Sequence, residues 1–466
     1  MHRVTRRTFL KSAAAGAAMT TLAPAGRLAA DSPDERPNVL IVLADQWRFS
    51  AFGYASDPLA RTPTFDRFAA GGVHWTRAYA ANPLCTPNRS ALITGRFPHQ
   101  TGMTRNDLML PPAESCLARP FAEAGYATHY IGKWHMDGPA KPGYVPKGWR
   151  RRGFGTFIGF NRGHSYYRTP TFNDDGTPLR RPGYEPTVQT DLAIAFLKAH
   201  RAQPFLCFLS WGPPHMPYRP PKAFNTYPAN RLEWRPNVPK AERKKAGTRR
   251  DLAGYYGLCT SLDHEFDRLL KALDDLGLAG KTLVVFTSDH GDMHGSHGLH
   301  YKQHPQEESL HVPLLMRVPG DGKGGRTIDV PTSTIDLMPT LLGHCGLTVP
   351  AACTGRDLSA ALGGRAPESR SIYAEGRMGG PAAWRAVVRE QHKLVINRSG
   401  AATRLFDLEH DPYEMIDLAG QPKHAALEKD LLADLHRWAK RTGDPFPEPP
   451  RRAAARYPDP PAGKAP

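Results

Sequence analysis

A chain of 466 residues, 40% hydrophobic and 23% charged, can bury a large core and divide into one big domain and a smaller one, which excludes a disordered polypeptide. Its six cysteines, at 85, 116, 207, 259, 345 and 353, are too sparse for a disulfide scaffold, and Cys345 and Cys353 are expected as free thiols rather than a short-loop pair. The net charge of +17 favours anionic partners such as acidic polysaccharides or charged esters; with neither zinc-finger spacing nor an RNA-binding aromatic motif, nucleic acid is not expected.

Residues 1–30 read as a targeting segment and stand outside the fold. Arg6-Arg7 followed by Thr8, Phe9, Leu10 and Lys11 resembles the twin-arginine export signal of bacteria. That resemblance implies the export machinery as a partner, cleavage between Ala25 and Ala30, and a periplasmic or secreted mature protein. The run "SAAAGAAMTTLAPA" is too short and too rich in Ala and Gly to span a membrane, and no later segment has the length of a membrane helix. The segment holds five Arg or Lys and no acid, so the remaining 56 bases against 44 acids leave +12. Basic runs at 150–152 and 240–245 would also be ordinary solvated surface.

"PNVLIVLAD" (37–45) is a continuous apolar run closed by Asp45 and predicts a central parallel strand buried on both faces. "TPTFDRFAAGG" (62–72) predicts a helix with Thr62 as cap, Pro63 at its first position and Gly71 as stop. "NPLCTPNRSALITGR" (82–96) places Cys85 just ahead of a helix beginning near residue 87. A lone cysteine is most often a small buried hydrophobe, so Cys85 alone establishes nothing. "YATHYIGKWH" (126–135) and "PFLCFLSWGPPH" (204–215) predict two more strands ending in polar residues. Leu262, Phe266, Leu269, Leu270, Leu273 and Leu276 recur at helical spacing before Gly277. "TLVVFTSDHGD" (282–292) repeats the first pattern, an apolar strand with acids at its carboxyl end.

Strands alternating with helices predict a doubly wound α/β sheet over 37–365. Beyond residue 365, short strands and a final helix over 427–440 predict a small α+β C-terminal subdomain (366–446) with an antiparallel sheet. Residues 447–466 are a Pro/Ala-rich tail with too few apolar residues to join a core. In open α/β sheets, ligands bind outside the carboxyl ends of the strands. Asp45-Gln46, Lys133, His135, His215 and Asp289-His290 stand at those ends. Singly, each could be a capping acid or a satisfied histidine. Together, on one sheet edge, they favour a divalent metal site.

Taken in order, "PNVLIVLADQW", "NPLCTPNRSALITGR", "GKWH", "WGPPH" and "FTSDHGDMHGSHG" with a following lysine resemble the formylglycine-dependent sulfatases of the alkaline phosphatase-like superfamily. The resemblance runs from about residue 37 to 320 and resumes at "RLFDLEHDPYEMIDLA". It implies an alkaline phosphatase-like mixed or parallel central sheet flanked by helices. It also implies that Cys85, in the C-x-P-x-R motif with Pro87 and Arg89, is oxidised by a maturation enzyme to formylglycine, the nucleophile. Asp45, Gln46, Asp289 and His290 would bind one divalent cation, which oxygen-rich ligation suits to Ca²⁺, with Mn²⁺ and Mg²⁺ as alternatives. Arg89 would hold the modified side chain, Lys133 and Lys302 would offset sulfate charge, His135 would accept a proton and His215 would donate one to the leaving oxygen. Asn88 stands where the family motif most often has serine, which bears on which maturation enzyme recognises the segment.

The function implied is hydrolysis of a sulfate ester on a carbohydrate or small organic molecule. An alternative within the superfamily is a phosphonate monoester or phosphodiester hydrolase, and a third is a non-catalytic binder of acidic glycans, against which an intact set of nucleophile, ligands and bases argues. Loops 150–172 and 216–234, rich in arginine and aromatic residues, suit stacking on anionic sugars.

Overall fold

The computed structural model describes residues 36–168, 170–320 and 324–446; the segment expected to be an export signal and the Pro/Ala-rich tail lie outside them. The strand Asn38–Asp45 is buried at all positions, as its unbroken apolar run requires. Val39, Ile41 and Leu43 face one core with Phe208, Val285 and Leu92. Leu40 and Val42 face another, where Leu262, Phe266, Leu269 and Leu273 of the helix Ala246–Asp275 cover the sheet. The period of two along a strand meets the period near 3.6 on the helix, so each element buries one set of residues per face.

Asn38–Asp45 pairs in parallel with Phe205–Pro214 on one side and Thr282–Ser288 on the other. Ala127–Lys133 continues the parallel order beside Phe205–Pro214, followed by Thr156–Phe160. The registers set Asp45 opposite Pro214, Ala44 opposite Ser288 and Gly132 opposite Ser210. The carboxyl ends of four strands therefore form one rim.

The sheet is mixed rather than purely parallel. His311–Arg317 pairs antiparallel with both Thr282–Ser288 and Val73–Tyr79, and Arg326–Ile328 adds a parallel edge. A separate four-stranded antiparallel sheet runs Ile372–Gly376, Trp384–Arg389, His392–Asn397 and Ala402–Asp407. The helix Ala425–Thr442 lays Leu431, Leu435 and Trp438 on it, in a core shared with Ala91 and Phe97 of the larger unit. All six cysteines are free thiols, and no described helix is long and apolar enough to cross a membrane.

Candidate active site

The helix carrying the lone cysteine spans Cys85–Thr94, with Leu84 as its extended N-cap. It begins two residues earlier than the sequence predicts. Cys85 is its first helical residue, where free N–H groups favour an anion, and Pro87 sits in the first turn, where no intrahelical bond is lost. The whole helix is buried.

Around Cys85 the rim residues converge. The Lys302 ammonium donates to Sγ at 3.1 Å and to Gln46 Oε1 at 2.7 Å. His290 Nε2 lies 3.3 Å from Sγ, and Asp45 Oδ1 lies 3.8 Å from it. Donor atoms of Asp45, Cys85, Asp289 and His290 all fall within 4.8 Å of one another. Arg89, one turn along the helix, donates through Nε to Asp289 at 2.8 Å and through Nη2 to Asp45 at 3.1 Å. Its Nη1 reaches Ser210 Oγ at 2.8 Å and the Lys133 carbonyl at 3.0 Å. Lys133 donates to Asp45 as well.

Electrostatics follow from that packing. Burial and Asp45 raise the Cys85 thiol, but Lys133, Lys302 and His290 outweigh them and hold it well below the ordinary thiol value. Burial, then the Asp45 carboxylate, pushes Asp289 up. Burial raises Asp45, but the Lys133 and Arg89 charges outweigh it and hold it well below the ordinary carboxyl value. Two fully buried carboxylates competing in this way, with an imidazole nitrogen and an amide oxygen beside them, are a donor set that fits a divalent cation. Gln46 is committed to the same place: with φ of 72°, its backbone N–H donates to Asp289 Oδ1 at 3.0 Å. Its amide nitrogen donates to Asp292, which turns Oε1 toward Lys302.

His135 and His215 join the site by different routes. The His135 ring bonds Asp107 through Nε2 at 3.0 Å and leaves Nδ1 buried without a partner. A carboxylate at Nε2 requires Nε2–H, which leaves Nδ1 as the ring nitrogen that exchanges a proton. His135, and next Arg162, hold the Asp107 carboxyl down to about 2. His215 donates from Nδ1 to the Met216 carbonyl at 2.7 Å, which leaves Nε2 as its pocket-side nitrogen. Burial, then the Lys302 ammonium, pushes His215 down to about 3, so its resting form is neutral. Its ring stacks on His164, with centroids 3.7 Å apart, and His164 Nε2 accepts from Lys133 at 3.1 Å.

Asp107, His164, Ser210 and Asp292 escaped the sequence reading. Only Asp292 carried a signal, a third acid three residues after Asp289 in "SDHGD". Asn88 has a structural purpose. Its amide donates to the Asp289 carbonyl while its oxygen accepts from Ala81 N–H at 3.0 Å and Thr334 Oγ1 at 2.7 Å. It thereby ties the Cys85 helix to the segment carrying two metal-type ligands.

A family model described as Sulfatase matches residues 37–347, and one described as N-sulphoglucosamine sulphohydrolase, C-terminal, matches residues 295–441. The ulvan-active sulfatase of Formosa agariphila is 37% identical over 428 residues, covering 88% of this chain and 82% of its own. A solved Bacteroides fragilis structure assigned as a sulfatase superposes with TM-score 0.82 at 26% identity, covering 90% of this chain and 99% of that one. The phosphonate monoester hydrolase of Silicibacter pomeroyi shares the fold, with TM-score 0.73 at 23% identity over 87% of this chain and 96% of that one.

Proposed function

This chain belongs to the sulfatase family of the alkaline phosphatase-like superfamily, and on that premise we propose that it releases sulfate from a sulfated carbohydrate, with Cys85 converted to formylglycine and one divalent cation, Ca²⁺ first, held by Asp45, Gln46, Asp289 and His290. The observation that carries this reading is the position of Cys85. It is the first residue of a buried helix, 3.1 Å from Lys302 and 3.3 Å from His290, in contact with the converging acids. When present, the cation and the modified side chain supply Lewis acidity and a hydroxyl nucleophile.

The protein's own groups do the rest. Arg89 locks both carboxylates in place, while Lys133 and Lys302 present positive charge to a sulfate ester and to the charge that grows on its oxygens. His135, oriented by Asp107, offers an unpartnered Nδ1 as proton acceptor. His215 presents Nε2 to the leaving-group side. Burial first, and the Lys302 ammonium second, keep His215 neutral at rest; an anionic substrate between Lys133 and Lys302 offsets the second of these and so favours a proton at Nε2. The arginine- and aromatic-rich loops 150–172 and 216–234 support a sugar as the leaving group, as does the match to a sulphoglucosamine sulphohydrolase model.

Export by the twin-arginine route to the periplasm or beyond is part of the same proposal. Because Cys85 and its whole helix are buried, the maturation enzyme must reach the segment before the chain folds, hence before a folded chain is exported. Mass spectrometry of the peptide containing residue 85 should show the thiol replaced by an aldehyde in active preparations. Sulfate release from a panel of defined sulfated saccharides, set beside an aryl phosphonate, tests the reaction. Full activity with unmodified cysteine, or turnover confined to the phosphonate, would overturn the reading. Cys85→Ala should abolish turnover and leave the folded state intact.

A further inference from the structure

The strand Thr156–Phe160 pairs in parallel with Ala127–Lys133, with Phe160 opposite Lys133. The pairing runs on past both strand ends. Trp134 N–H donates to the Phe160 carbonyl at 2.9 Å, and His135 N–H donates to the Asn161 carbonyl at 2.5 Å. Asn161 is fully buried. Its side chain accepts from Asp137 N–H at 3.1 Å and donates to the Gly138 carbonyl at 2.8 Å. Arg162 then pairs with Asp107, the carboxylate that holds the His135 ring. One end of the segment is thus fastened to His135.

The other end is fastened to His215. The Tyr166 hydroxyl donates to the His215 carbonyl. Its ring lies against Gly212, where an added Cβ would stand 2.9 Å from Tyr166 Cε1.

Between these anchors, His164 lies against both Lys133 and His215. An ammonium has donors only, so the 3.1 Å contact makes His164 Nε2 an acceptor for Lys133. Lys133 also donates to Asp45, which commits two of its three protons and leaves one for an incoming oxygen. The His164 and His215 rings stack with centroids 3.7 Å apart and planes 9° from parallel. With His215 Nδ1 already bound to the Met216 carbonyl, that face fixes the plane in which Nε2 points. Packing alone asks for volume. This ring supplies a lone pair to one functional side chain and a flat face to another.

We propose that His164 is a positioning residue for the sulfate-ester hydrolysis proposed above, on which this inference rests. Its Nε2 sets the direction of the Lys133 ammonium, and its ring face sets the plane of His215. Two substitutions separate the two contacts. His164→Phe keeps a flat face and removes the acceptor, whereas His164→Gln places an amide oxygen near the position of Nε2 and removes the face. Each would be measured with a sugar sulfate and with an aryl sulfate whose phenol is acidic. His164→Phe should lower kcat/KM for both by a similar factor of about tenfold or more, because both carry the sulfate charge that Lys133 meets. His164→Gln should slow the sugar sulfate at least about tenfold more than the aryl sulfate, because only the sugar needs the proton from His215. Unchanged rates in His164→Phe, or equal losses for the two substrates in His164→Gln, would overturn the proposal. If circular dichroism shows that one variant does not fold, the other decides. Calorimetry of inorganic sulfate on Cys85→Ala protein supplied with Ca²⁺ reads the Lys133 contact without turnover. Adding His164→Phe should weaken that binding by about tenfold, and equal affinity would overturn the role of His164. A mature enzyme that releases no sulfate from either substrate would overturn the reaction instead, and the calorimetry would then judge His164 without it.

Discussion

His215 can be tested by the leaving group it serves. Its Nδ1 is occupied by the Met216 carbonyl, so the ring both braces the loop and presents Nε2 to the pocket. If Nε2 delivers a proton, His215→Ala should slow sugar sulfates by about 10²–10⁴-fold, the usual worth of general acid catalysis. An aryl sulfate with an acidic phenol needs little protonation and should lose much less; equal losses would reduce His215 to a brace. Asp292 offers a second test, because it holds the Gln46 amide nitrogen and so fixes which way the amide oxygen points. Asp292→Ala should weaken divalent-cation affinity by about 10–100-fold, as removal of outer-shell partners commonly does. Competition against a coloured chelator would measure it, and unchanged affinity would show that Gln46 is oriented by other contacts. Asp289→Ala, which removes a proposed ligand and a partner of Arg89, should lose the cation and nearly all activity. Chelation followed by re-addition of Ca²⁺, Mn²⁺ or Mg²⁺ would identify the ion.

The Cys85 helix depends on how it is closed as much as on how it begins. Gly95 ends it with φ of 64°, a left-handed conformation that side chains other than glycine adopt at a cost of about 1–2 kcal/mol. A Cβ added there would also sit 2.3 Å from Cys353 Sγ. Gly95→Ala should therefore lower stability by more than about 1 kcal/mol, read as a drop in the denaturant midpoint. A midpoint equal to that of the unmodified chain would mean that the turn relaxes freely. The other end is held by Asn88, whose two-way amide joins helix, Ala81 and the Asp289 backbone. An amide can bridge all three where a serine hydroxyl, with one proton and a shorter reach, could not.

Across the whole molecule, the two sheets are joined by buried charge. His99 Nδ1 lies 2.7 Å from Glu375, and Asp444 is held by Arg385 at 2.6 Å. Burial lowers the His99 value, but Glu375, followed by Asp444, outweighs it, so the folded protein holds His99 above its ordinary range. The cluster of His99, Glu375 and Asp444 has the composition of a metal site, yet Arg385 already supplies its cation. A histidine raised on folding stabilises the folded state fully below its unfolded value, near 6.5, and that contribution is lost as pH climbs through the folded value. Thermal unfolding followed upward from pH 6 should show the wild type losing stability that His99→Gln, less stable at pH 6, does not lose further. Parallel curves for the two proteins would remove His99 from the docking of the C-terminal unit.

Much of the architecture was legible because it rests on local patterns. The apolar runs leading into Asp45 and Asp289 are nearly continuous, and such a run between turn signals reads as a strand covered on both faces. Once such strands are parallel, their carboxyl ends share one rim, so the polar residues there fall together without further information. Pro87 and Arg89 were likewise legible in the first turn of a helix, but the sequence set Cys85 just ahead of that helix, whereas it is the first helical residue. The antiparallel pairing of Val73–Tyr79 and His311–Arg317 was not legible, because strand direction depends on which distant partner accepts the backbone bonds. Nor were His164, stacked on His215 from a loop about fifty residues away, or Asp107, which sets the proton on His135. Sequence by itself gathered the polar residues on one rim and favoured a divalent metal there, while the nucleophile and the reaction came from the resemblance to the sulfatases. Tertiary packing alone decided which nitrogen of each histidine is free, because that depends on a carboxylate brought in from another segment at His135 and on the folded path of its own loop, which turns the Met216 carbonyl back, at His215.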